Sequence, residues 1–90
     1  MNNNCSNHKK YLFGESDMKV VAEAIGDLNY ESLSRLLFEL QTKIHNDSMK
    51  YLKDEKFKLS HALHRASVHL WQASFEIESA WQISKPFMKD

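Results

Sequence analysis

Glycine, proline and cysteine are scarce in this chain. Only Gly14 and Gly26 supply flexible backbone, and Pro86 is the single proline. Between Gly26 and Pro86 no strong breaker interrupts the chain, and no sustained alternation of β-branched residues marks a strand. The pattern predicts an all-α protein. One cysteine, Cys5, cannot form an internal disulfide, which excludes a disulfide-stapled scaffold. Net charge is also lacking, with twelve acidic and twelve basic residues. No global field steers the chain toward nucleic acid or anionic lipid. No apolar run approaches membrane-spanning length, and the Asn-rich start MNNNCSNHKK lacks the apolar core of a secretion signal. The expectation is a cytoplasmic protein without membrane contact.

Ninety residues make at most one domain. A chain this short buries a modest share of its surface, and association is a common remedy. Residues 1–15 read as a flexible polar tail, 16–86 as one helical domain and 87–90 as a short C-terminal tail. Ser16 is placed to cap a short first helix, with Asp17 beside it, and Val21, Ala24, Ile25 and Leu28 share a face. Asn29 can cap a second helix, along which Tyr30, Leu33, Leu37, Leu40 and Ile44 repeat at three-four spacing. Beside that stripe, Glu31, Arg35, Glu39, Lys43 and Asp47 alternate in sign every four residues, as on a solvated face.

A third stripe is out of phase with the second helix. It comprises Leu59, Leu63, Ala66, Leu70, Ala73, Ile77 and Ala80. The mismatch predicts a turn near 53–56, with Asp54 available to cap the next helix, and an antiparallel hairpin. One uninterrupted helix over about 30–84, paired between chains, is the competing arrangement. Pro86 ends the last helix, and Phe87 and Met88 are expected to fold back on the bundle.

The last helix is apolar on two sides. The Leu/Ala stripe forms one, and His61, His64, Val68, Trp71 and Phe75 form a second roughly opposite, with Trp81 flanking the first. A single hairpin partner cannot cover both. The short first helix is expected to cover part of the second side and another copy the rest, giving a homodimeric four-helix bundle. The interaction face predicted is Leu63, Val68, Leu70, Trp71, Phe75, Ile77 and Trp81. The expected function is a non-catalytic interaction or regulatory module, with itself as main partner and another protein as a further one.

Chemistry-bearing patterns are sparse. His61 and His64, three apart on a helix, could ligate a metal together with His45, but no His-Glu-x-x-His or Glu-x-x-His pattern supports a site. Lys50, Lys53, Lys56 and Lys58 form the best basic cluster for nucleic acid, interrupted by Asp54 and Glu55. No serine sits in a Gly-x-Ser-x-Gly elbow, and Glu76 and Glu78, two apart, point to different sides of a helix. No catalytic residue, cofactor or metal is assigned. The alternatives carried forward are a nucleic-acid-associated regulator, a metal-binding bundle and an immunity- or antitoxin-like partner protein.

Overall fold

The computed structural model describes residues 18–87. Ser16, Asp17, Cys5, Met88 and the two expected tails, apart from Phe87, lie outside the described residues. The order is α1 (Met18–Gly26), α2 (Tyr30–Lys53) and α3 (Phe57–Ser84), followed by a short 3-10 turn over Lys85–Phe87. Helices α2 and α3 pack along their length as an antiparallel hairpin. The described chain is thus all-helical, and the long uninterrupted helix is excluded.

Helix α2 starts where the sequence places it. Asn29 has extended backbone, and its side-chain oxygen accepts from the Ser32 N–H at 2.8 Å, satisfying a donor with no partner inside the helix. The other end is a Schellman turn. The Glu55 N–H bonds the Leu52 carbonyl at 3.0 Å, and the Lys56 N–H reaches back to Tyr51 at 2.9 Å. The pattern requires a left-handed residue just after the helix cap, and Glu55 takes that conformation with φ 62°. Asp54 therefore belongs to the end of α2, and it does not cap α3; the residue preceding α3 is Lys56, which makes no side-chain capping bond. The Lys56 ammonium instead lies 5.7 Å from the Tyr51 ring centroid, closing the turn over its aromatic face.

A residue other than glycine at this position carries a steric cost of about 1–2 kcal/mol. Glycine removes that cost but widens the unfolded ensemble. Glu55→Gly is therefore expected to stabilise the hairpin by roughly 0.5–1 kcal/mol, read as a higher urea midpoint at unchanged slope. An unchanged or lower midpoint would show that the turn carries no strain.

The most deeply buried residues of α2 and α3 are small and polar. Ser34, Ser48, Ser60, Ser67 and Ser74 are each 2–5% exposed, and no apolar side chain among the described residues is fully buried. The serines recur every seven residues on α3, at 60, 67 and 74, and at 34 and 48 on α2 with Gln41 between. Two helices approach most closely where their side chains are smallest, so the serines take the centre and the leucines straddle it. The Tyr30–Ile44 and Leu/Ala stripes flank this line, with Leu37, Ile44, Leu63, Leu70 and Ile77 half-buried beside it.

Burying hydroxyls costs little when each is bonded. Ser67 donates to the His64 carbonyl and Ser74 to the Trp71 carbonyl, both at 2.7 Å, and Ser34 has the Glu31 carbonyl at 2.9 Å. Two bonds cross between helices. Ser60 donates to the Ser48 carbonyl at 2.8 Å near the turn, and Ser34 has the Glu78 carboxylate at 3.3 Å near the open end. The single Ser34 proton serves either of its two acceptors.

The result is a slab with extents 49 × 28 × 13 Å. Its thickness is that of one layer of helices, since a second layer would stand about 8–10 Å further out. Helix α1 does not supply that layer. It makes no substantial packing with α2 or α3, and Met18, Val20 and Leu28 remain exposed. The expected cover over Val68, Trp71 and Phe75 from within the chain is therefore not seen for α1. Phe87 is 82% exposed, so it does not fold back on the hairpin.

Candidate interaction surface

Successive helical side chains are about 100° apart, so the residues before and after a seam position point to opposite faces of the slab. The two helices of an antiparallel pair are related by a near two-fold normal to their plane. The same offset therefore lands on the same face of both.

Residues one before the seam are Leu33, Leu40 and Asp47 on α2, and Leu59, Ala66, Ala73 and Ala80 on α3. Closer to the seam on this side lie Leu37, Ile44, Leu63, Leu70 and Ile77, all half-buried. We call this the Leu/Ala face. Its one charged group, Asp47, is held by Lys43 at 2.8 Å with a side chain 17% exposed. Of the alternating charges on α2, this is the ion pair formed among the described residues.

Residues one after the seam make the other face: Arg35, Thr42 and Met49, with His61, Val68 and Phe75. Phe38, His45, Leu52, His64, Trp71 and Glu78 lie between them and the seam. Trp71 and Phe75 are 44% and 54% exposed and meet edge to face, ring centroids 4.8 Å apart. Two open grooves cross this aromatic face. One, of about 350 Å³, is lined by Ser34, Arg35, Phe38, Glu39, Ser74, Phe75 and Glu78. The other, of about 320 Å³, is lined by Phe38, Gln41, His45, His64, Ser67, Val68 and Trp71.

The predicted interaction residues are thereby divided. Leu63, Leu70 and Ile77 belong to the Leu/Ala face, and Val68, Trp71 and Phe75 to the aromatic face. Trp81 takes the seam position after Ser74 and is half-buried opposite the start of α2. Phe38, which lines both grooves, was not singled out in the sequence because it sits beside the charged stripe of α2. The serine seam left a legible signal in the seven-residue repeat of Ser60, Ser67 and Ser74.

Of the three histidines considered for metal, His45 and His64 come together across the hairpin, ring centroids 6.2 Å apart. His61 is one turn away on α3, and no group of three potential ligands forms among the described residues. The four lysines gather around the turn: Lys50 and Lys53 in the last turn of α2, Lys56 before α3 and Lys58 in its first turn. Lys50 lies 5.8 Å from the centre of the Tyr51 ring, which Lys56 also approaches. No described helix is long and apolar enough to cross a membrane. No protein-family model, curated protein or solved structure matches the chain.

Proposed function

We propose that the chain is a small non-catalytic interaction module, cytoplasmic and regulatory in character, that completes its core by pairing with a second copy into a homodimeric four-helix bundle. One observation carries this reading. The described chain buries no apolar side chain fully, yet its hairpin presents large exposed or half-buried apolar side chains on both broad faces, a nearly continuous set on the Leu/Ala face and Phe38, Trp71 and Phe75 among polar groups on the other. A folded hairpin with only serines inside gains little from removing apolar surface from water, which is the dominant favourable contribution to folding. A second layer of helices supplies that gain. Contiguous exposed apolar surface of this kind marks interaction sites.

The direct test is molar mass in solution by size-exclusion chromatography with light scattering over a range of concentrations. The expected particle has twice the 10.6 kDa chain mass at high concentration. A helical monomer at every concentration would overturn the proposal.

A further inference from the structure

We infer that the second copy seats on the Leu/Ala face, α3 against α3 about a two-fold axis near Ala73, and not on the aromatic face. This rests on the dimeric reading above and assigns its surface.

The available area comes first. The α2–α3 overlap spans the 24 residues of α2, about 36 Å of helix. Two helices side by side are roughly 20 Å broad, so each face offers on the order of 700 Å²; a two-fold at Ala73, level with Arg35 in the Ser60–Ser48 register, overlaps roughly 500 Å² of it per partner, about the 1,000 Å² total that a specific interface needs. Either face is large enough, and composition then decides. The Leu/Ala face carries one charged side chain, already paired within its own helix. The aromatic face carries Arg35, Glu39 and Glu78 around one groove and His45 and His64 in the other. A copy of itself laid on that face would enclose Arg35, Glu39 and Glu78, none of which forms an ion pair among the described residues, and leave grooves unfilled, both unfavourable in a close-packed interface.

Shape places the axis. Ala66, Ala73 and Ala80 repeat every seven residues along the middle of the Leu/Ala face of α3. A two-fold at Ala73 sets α3 antiparallel to its copy, with Ala66 facing the partner's Ala80. Small side chains at these positions let the backbones approach, while Leu70 and Ile77 pack to the sides.

The experiment uses the full chain with Cys5→Ser, so that one introduced thiol reports alone. With Ala73→Cys, mild oxidation is expected to convert most of the protein to a disulfide-linked dimer, because a residue on a two-fold meets itself. Phe75→Cys in the same background is expected to stay mostly unlinked. As a second arm, Ala73→Glu should raise the dissociation constant at least about a hundredfold, since like charges would meet at a desolvated axis. Trp71→Glu should leave the dimer intact. Linking through Phe75→Cys but not Ala73→Cys, in a dimeric protein, would overturn the face assignment and leave the module standing. Equal linking through both would overturn it too, in favour of an open assembly. A chain that is monomeric by light scattering before any substitution would sink both readings.

Discussion

Diluting the protein from about 100 µM to about 1 µM is expected to lower its thermal midpoint by roughly 5–10 °C. A monomeric fold has a midpoint independent of concentration. A fold completed by association does not, because mass action favours the separated chains on dilution. A hundredfold change is worth about 2.7 kcal/mol per dimer at room temperature. For a unit of about 180 residues, each kcal/mol moves the midpoint by about 2–4 °C. The effect should be large here because the hairpin has no fully buried apolar side chain to hold it when alone. Calorimetry or circular dichroism at the two concentrations reads it directly. A constant midpoint would mean that the hairpin stands by its seam.

The second large effect concerns that seam. Ser67→Leu is expected to destabilise the protein by about 3 kcal/mol, the upper end of the usual cost of overpacking. Ser67 is 2% exposed at the middle of the contact between α2 and α3. A leucine at the line of closest approach either pushes the two helices apart or must turn out of the seam toward the groove that Ser67 lines, and both disturb the packing beside it. Ser67→Ala, by contrast, should stay within about 0.5 kcal/mol of the parent. It loses the hydroxyl bond to the His64 carbonyl at 2.7 Å. In exchange it gains helix propensity and removes a buried polar group. Denaturant unfolding of the two variants separates size from hydrogen bonding. Tolerance of leucine would show that the seam is not close-packed; a large loss with alanine would show that the hydroxyl matters.

The helices, the Asn29 cap and the turn around residues 54–56 were legible in the sequence because breakers and phase changes mark them. The identity of the hairpin contact was not. Hydropathy directs attention to Leu33, Leu37, Leu63 and Leu70, whereas distance of approach is set by the smallest side chains. A serine in the interior can bond its own helix and so pass for a surface residue. The two apolar faces of α3 were legible from periodicity. Which residues of α2 join each face depended on where the seam runs, and so Phe38 and His45 found their neighbours only in three dimensions. The first helix has an apolar stripe that predicts docking, yet its nine residues bring few large side chains to hold it against α2 and α3.

A contact line that repeats every seven residues has a further property. It matches itself again when one helix slides past the other by a whole repeat, about 10 Å. Ser60 would then meet Gln41, and Ser67 would meet Ser34, with small change in fit. The seam by itself does not choose among these alignments. The ends choose: the three-residue connection from Lys53 to Phe57 has no slack for such a slide, and the Ser60–Ser48 and Ser34–Glu78 bonds pin the pair near its closed and open ends. Lengthening the connection by a few residues would unlock the sliding coordinate, turning a strut of fixed alignment into a pair with several.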